Sequence, residues 1–163
     1  MTMFREMRRF KQQLPIDECK QILADQKRCV LSVLGDDGYP YGIPMDYVYD
    51  PTRGELGSLF FHCAVEGHKL DAIAACDKAS VCVMDGGTLE EGSWWYHVRS
   101  VICFGRAAVV ADEQLVDEAL RAVGAKYFPP EVDTEAEIAK STGRVRIIEL
   151  RIEHMSGKHV REN

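Results

Sequence analysis

Apolar residues recur along this chain in two rhythms, and the order in which those rhythms alternate predicts its elements. Over 17–26, Cys19, Ile22 and Leu23 share one helical face behind an acidic first turn, so a short helix is expected. The β-branched run 29–34 ends at Gly35-Asp36-Asp37-Gly38, a hairpin turn signal. Residues 39–49 continue as a strand interrupted by Pro40 and Pro44. Proline donates nothing to a ladder, so this strand lies at an edge or carries a bulge, and it leaves backbone groups for a ligand. The turn Asp50-Pro51-Thr52-Arg53-Gly54 sends the chain back into a strand at 59–63. A helix at 69–76 then shows Leu70, Ile73 and Ala74 at helical spacing, and a compact strand occupies 79–84.

A glycine-bearing loop at 85–92 leads through Ser93-Trp94-Trp95-Tyr96 into a long strand, 97–111, with a bulge expected at Gly105 and His97 read as facing solvent. Asp112 is the expected N-cap of an amphipathic helix bearing Leu115, Val116, Ala119, Leu120 and Val123, which Phe128-Pro129-Pro130 stops. Thr134 and Glu137 have capping-box spacing, which predicts a helix to about Ser141, and Gly143 suits its end. In the last strand, 144–155, the apolar phase slips at Ile147-Ile148, which means a bulge or burial on both faces. About six antiparallel strands with few helices indicate a mainly β (α+β) small barrel, because closure removes edges.

Composition narrows the function. A chain of 163 residues, 46% hydrophobic and 28% charged, reads as one soluble domain over 1–163, with an N-terminal arm at 1–13 and a helical insertion at 112–141 before the last strand. The net charge of −6 and pI near 5.4 exclude a general nucleic-acid surface, which needs a basic face. The first residues carry Arg5, Arg8, Arg9 and Lys11 without an apolar signal core, and no run has the length of a membrane span, so the expected compartment is the cytoplasm. Six cysteines without a C-x-x-C pair read as packing residues. His62, Cys63 and His68 match no zinc spacing, so no metal is expected.

One stretch invites a ligand. Glu66-Gly67-His68-Lys69 stands where the apolar strand Leu59-Phe60-Phe61-His62-Cys63 hands over to a helix. Free amides and the positive end of the dipole point there, Lys69 adds a point charge, and His68 adds a switchable donor. The alternative is an ordinary turn with a solvated Lys and His.

The ordered set of motifs is what resolves this choice. Met3-Phe4-Arg5-Glu6-Met7-Arg8-Arg9, Gly35-Asp36-Asp37-Gly38-Tyr39-Pro40-Tyr41, Phe61-His62-Cys63-Ala64 and Glu66-Gly67-His68-Lys69 resemble the nitroimidazole-resistance (Nim-like) proteins, of the pyridoxamine-5′-phosphate-oxidase-like FMN-binding split-barrel superfamily. Arg99-Ser100-Val101, Phe104-Gly105 and Glu153-His154-Met155-Ser156-Gly157-Lys158 extend the match over nearly the whole chain.

The resemblance implies a six-stranded antiparallel split β-barrel with flanking helices, forming a homodimer with two FMN sites at the interface. It places His68 and Lys69 at the FMN phosphate and the strand Pro44-Met45-Asp46-Tyr47 along the flavin ring. Phe61, His62 and Cys63 match a second flavin-lining strand, Ser100 a polar residue reaching the partner's site, and Lys158 a residue of the C-terminal segment. The Trp-and-Arg pair of the oxidases has no equivalent here, which argues against pyridoxamine-phosphate oxidation. The expected activity is reduction of a small aromatic electrophile, a nitro compound or quinone, with His68 as the candidate proton donor. NADH or NADPH binds transiently if at all, since no G-x-G-x-x-G fingerprint occurs. The alternative is a non-catalytic flavin- or haem-binding protein on the same barrel. Trp94-Trp95-Tyr96 reads as a lid over a flat ligand or as interface packing.

Overall fold

The protein was analysed as a computed structural model, which describes residues 4–160; positions 1–3 of the arm, including Met3 of the first motif, lie outside the described residues. The element order is β1 (Gln13–Leu14), α1 (Ile16–Asp25), β2 (Arg28–Leu34), β3 (Pro40–Asp46), β4 (Val48–Asp50), β5 (Ser58–Ala64), α2 (His68–Ala75), β6 (Lys78–Met84), β7 (Thr88–Leu89), β8 (Tyr96–Val109), α3 (Glu113–Tyr127), α4 (Thr134–Ser141) and β9 (Val145–Val160). The strands form an antiparallel sheet in the order β3-β2-β6-β8-β9-β5-β4. β3 and β4 stand at opposite ends of that order although only Tyr47 separates them in sequence. The sheet is therefore curled until its ends meet, and β3–β4 serves as one bent strand, which gives the six walls of a split barrel.

The alternation of the strands fills the interior. Leu31 and Val33 of β2, Val81 and Val83 of β6, Val101 and Cys103 of β8, and Leu59 and Phe61 of β5 all face inward and are buried. Each such large apolar side chain contributes about 1.5–3 kcal/mol. Helix α1 closes the interior with Cys19, Ile22 and Leu23, the three residues its periodicity selects. The phase slip in β9 resolves as burial on both faces: Ile148 points into the barrel, while Ile147 packs under α3 with Val48, Phe60, Ala119 and Val123. No register shift occurs there: the β5–β9 ladder runs through the step unbroken, and the β8–β9 ladder ends at Val109–Ile148.

Three local expectations shift. The bulge lies at Gly105, but the extra residue is Glu153 of β9, since Phe104 faces His154 and Gly105 faces Ile152. Gly105 is required for another reason: a Cβ there would stand 2.1 Å from the Arg151 carbonyl oxygen. The cap of α4 is Asp133, whose carboxylate accepts from Ala136 N–H at 3.1 Å, and Thr134 instead packs against Gly124 of α3. The Asp133 carboxylate reaches the orphan amide from one position earlier, so the capping box does not form. His97 is largely covered, with its ring edge-on to His159 at 6.0 Å, because β7 folds back on β8 beside it.

Cys19, Cys29, Cys63 and Cys103 are buried and Cys76 and Cys82 half-buried, all as free thiols. Burial pushes the Cys29 thiol up to about 12, so it stays a neutral packing group. Among the described residues no helix is long and apolar enough to cross a membrane, and no cluster of His, Cys, Asp and Glu can hold a metal.

Candidate functional site

Gly67 shapes the first half of the site. Its φ of 143° and ψ of 165° lie in a region essentially confined to glycine, and that turn aims the start of α2 back across β3. Leu70 and Asp71 both donate to the Gly67 carbonyl, at 2.9 and 3.2 Å. The amides of His68 and Lys69 are left without an intrahelical acceptor, at the positive end of the helix. The His68 ring stacks on Tyr41 of β3 with centroids 4.4 Å apart, and its Nε2 lies 3.5 Å from Asp36 Oδ2. The turn after β2, the start of β3 and the start of α2 thus meet at one imidazole. Lys69 is half-buried just outside the interior. Burial pushes the neighbouring Cys63 thiol up, while Lys69 and Arg146 pull the other way.

The second half is the seam where the barrel closes. Val48 pairs with Phe60, and continuing that register would set Asp46 against His62. Instead Asp46 pairs with Arg28 and β3 follows β2, so β3 and β5 part company. A cavity of about 310 Å³ opens there, lined by Arg28, Pro44, Met45, Asp46 and His62. The Arg28 guanidinium donates to Asp46 Oδ1 at 3.2 Å, a contact exposed to solvent.

Among the residues singled out from the sequence, Pro44, Met45, Asp46 and His62 therefore meet at one groove, with His68 and Lys69 further along the same seam. Tyr47, Phe61 and Cys63 point into the core: the Tyr47 ring is fully buried and its hydroxyl donates to the Leu23 carbonyl at 2.8 Å, so these residues offer a ligand only backbone. Ser100 and Lys158 pair with each other across β8 and β9. β9 lies beside β5, but Lys158 stands at the far end of β9 from Ile147, the register partner of the groove residue His62, and Ser100 is held beside Lys158. One chain does not bring them to the groove.

Arg28 and Asp36 escaped the sequence reading. Arg28 stands just before the β-branched run 29–34, and nothing in its neighbours marks it as lining a groove. Asp36 was explained by its turn, which it does build. Trp94 is 83% exposed beside Trp95, their rings 5.0 Å apart, on the arm between β7 and β8. A larger cavity, about 540 Å³ between α3, α4 and the start of β9, holds none of the candidate residues.

Known proteins match this architecture. The structure of a candidate 5-nitroimidazole antibiotic resistance protein from Bacteroides thetaiotaomicron is similar over 88% of this chain and 82% of its own, at 19% identity and a TM-score of 0.71. A FAD-binding protein from Mesorhizobium loti is similar over 91% of this chain and 97% of its own, at 21% identity and a TM-score of 0.66. The flavocytochrome Anf3 from Azotobacter vinelandii is similar over 97% of this chain and 73% of its own, at 19% identity and a TM-score of 0.66. At these identities the likeness concerns the fold. No curated protein matches the sequence. The sequence model of the pyridoxamine 5′-phosphate oxidase family matches residues 15–159, which include both halves of the site, and the chain belongs to that family.

Proposed function

We propose that this protein is an FMN-dependent oxidoreductase that reduces a small aromatic electrophile such as a nitro compound or a quinone. The observation that carries the reading is the Gly67 turn, which sets two amides without an intrahelical acceptor, Lys69 and His68 at one end of an open seam. A phosphate fits that end through amides, dipole and ammonium together. A flat ring fits the other end, about 13 Å away along β3 from Tyr41 to Met45. Similarity to the FAD-binding protein and to the flavocytochrome supports a flavin in general. The phosphate-sized anion site favours the mononucleotide.

When bound, FMN supplies the electron-transfer chemistry, and the chain supplies binding and orientation. Lys69 holds the phosphate as a point charge. His68, fixed on its face by Tyr41 and at its edge by Asp36, completes that clamp as a phosphate ligand, and from that end of the seam it does not reach the ring to serve as the proton donor. Pro44 and Met45 offer strand backbone to the ring, Asp46 is oriented by Arg28, and exposed His62 forms the opposite rim. Tyr47, Phe61 and Cys63 set the position of those strands from within.

A second copy of the chain completes the site. Between the charged rows at Arg28 and Arg106, the outer faces of β2, β6 and β8 carry Val30, Ser32, Ser80, Cys82, Ile102 and Phe104, an uncharged surface suited to isologous pairing. Such pairing lets Ser100 and Lys158 serve the partner's groove, and the Trp94–Trp95 arm cover it. NADH or NADPH is the proposed donor, binding transiently in a cytoplasmic enzyme.

The test is the absorbance of purified protein, followed by anaerobic mixing with NADH or NADPH and a nitroaromatic. Flavin bands that bleach with the nicotinamide and return as nitroaromatic is consumed support the reading. Flavin that neither bleaches nor turns over makes the protein a carrier, and a Soret band without flavin removes the proposal.

A further inference from the structure

Tyr47 is the residue at which one strand stops pairing with β2 and starts pairing with β5, so neither ladder supplies partners for its backbone. The partner comes from α3. The Tyr127 hydroxyl accepts from the Tyr47 N–H at 2.9 Å, and the carbonyl oxygens of Tyr47 and Lys27 both lie within hydrogen-bond reach of it. One phenol proton serves those two carbonyls by turns while the oxygen satisfies the amide. The preceding residue of α3 reinforces the attachment: the Lys126 ammonium donates to the Gln26 carbonyl at 2.6 Å and sits 4.2 Å over the centre of the Tyr47 ring. Burial holds the Lys126 ammonium below the usual lysine range, as its enclosed place beside that ring requires. The backbone at both flanks of the groove wall, Lys27 before Arg28 and Tyr47 after Asp46, is thus tied to a single side-chain oxygen.

We propose that Tyr127 is a positioning residue of the ligand groove: its hydroxyl fixes where the barrel seam opens, and through Tyr47 and Lys27 it sets how Asp46, Arg28 and the Pro44–Met45 backbone face the bound ring. The proposal rests on the flavin reading for its ligand, while the clasp itself is independent of it. Tyr127 touches neither ligand nor reacting atoms in this account. A ladder cannot do this work, because a ladder at Tyr47 would close the groove.

The experiment compares the full-length protein with Tyr127→Phe and, as a remote control, Ser58→Ala, which removes a hydroxyl bonded to Glu149 at 2.8 Å on the β5–β9 ladder. FMN affinity is read by flavin fluorescence, the ring's surroundings by visible circular dichroism, and seam order by amide hydrogen exchange. Tyr127→Phe is expected to raise the FMN Kd about tenfold, to change the visible dichroism and to speed exchange at Tyr47, since it removes both the acceptor of the Tyr47 amide and the donor shared by the two carbonyls. Ser58→Ala is expected to lower the melting temperature while leaving Kd and dichroism as they are. Unchanged Kd and dichroism in a folded Tyr127→Phe protein would overturn the proposal. Should that variant not fold, the wild-type protein without flavin still decides: a Tyr47 amide protected as well as the β8–β9 amides supports the clasp, and free exchange there overturns it. If the wild type binds no FMN, the flavin reading fails, and the exchange measurement on wild type and variant still tests the clasp.

Discussion

The β8–β9 ladder and the seam at Tyr47 are two walls of one barrel, closed by different means. Along β8–β9 the backbone pairs almost continuously from Val98–Val160 to Val109–Ile148, and its single irregularity, at Glu153, is accommodated by the bare backbone of Gly105. At the seam, β3 and β5 leave each other unpaired, and the gap is held by the Tyr127 and Lys126 side chains arriving from α3 and by the Tyr47 hydroxyl, which donates to the Leu23 carbonyl of α1. The difference teaches how a closed sheet makes room for a ligand. A ladder satisfies its own backbone and leaves no polar group over, whereas a seam held by side chains keeps strand edges accessible while remaining in place. Residues that damage the ladder should therefore cost stability, and residues at the open seam should cost binding.

The largest test of that division is Gly105→Ala. The added methyl meets the Arg151 carbonyl oxygen at 2.1 Å, and both backbones are locked in the ladder, so neither yields without breaking pairs. A loss of about 3 kcal/mol is expected in urea unfolding. A loss below about 1 kcal/mol would show that this wall is as pliant as the seam and erase the contrast.

Next comes Lys69→Ala at the seam. A charge-assisted contact to phosphate contributes about 1.5–3 kcal/mol, so FMN binding should weaken by about 10- to 100-fold. The urea midpoint should hold, since Lys69 makes no bond that supports either wall. An unchanged FMN affinity in a titration removes Lys69 from the phosphate site.

What the sequence disclosed follows the same division. The ladder wall was legible, because alternation along 79–84 and 97–111 is a period-two signal that burial enforces residue by residue. The phase slip at Ile147-Ile148 marked either a bulge or a strand covered on both faces, and the second is what forms. The seam was legible only in part. Pro40 and Pro44 marked an edge, and Gly67 marked the turn at which α2 starts, since both residue types report directly on backbone geometry. Tyr127 and Arg28 were not legible, because their roles depend on pairings across long sequence distances that no local spacing records. Tyr47, Phe61 and Cys63 were matched to a flavin-lining strand by resemblance, yet inward alternation buries their side chains and leaves them only a backbone role. The cap at Asp133 rather than Thr134 shows the usual ambiguity of adjacent capping residues.

A smaller effect separates the walls by pH. Burial opposes ionisation of Glu149, but hydrogen bonds from Arg53 at 2.9 Å and Ser58 at 2.8 Å, together with nearby positive charge, outweigh it and hold the carboxyl below its usual range. A carboxyl depressed on folding stabilises the protein above its unfolded pKa, about 4.3, and that stabilisation fades as pH falls through the lower folded value. The urea midpoint of the wild type should drop on acidification through that window, and the gap between it and Glu149→Gln should narrow. A gap that stays constant from neutral to acid pH would show that the ionised carboxyl does not secure β5 to β9.

The smallest expected change is the most discriminating for the seam. Among the described residues Arg28 and Asp46 make the only charged contact within the groove lining, and it is tempting to see in it the bolt that joins β2 to the end of β3. The Arg28 side chain is 83% exposed, however, and an ion pair so hydrated gains little in water. Its strand neighbours are already paired from Arg28–Asp46 to Leu34–Pro40 by backbone, and Tyr127 secures the position beyond. Arg28→Ala should therefore shift unfolding by less than about 0.5 kcal/mol, and added salt should remove even that difference. A loss of several times that size, with Tyr47 exchanging freely, would transfer the closing role from the α3 phenol to the surface ion pair, and the seam would then be held from the groove side instead of from behind.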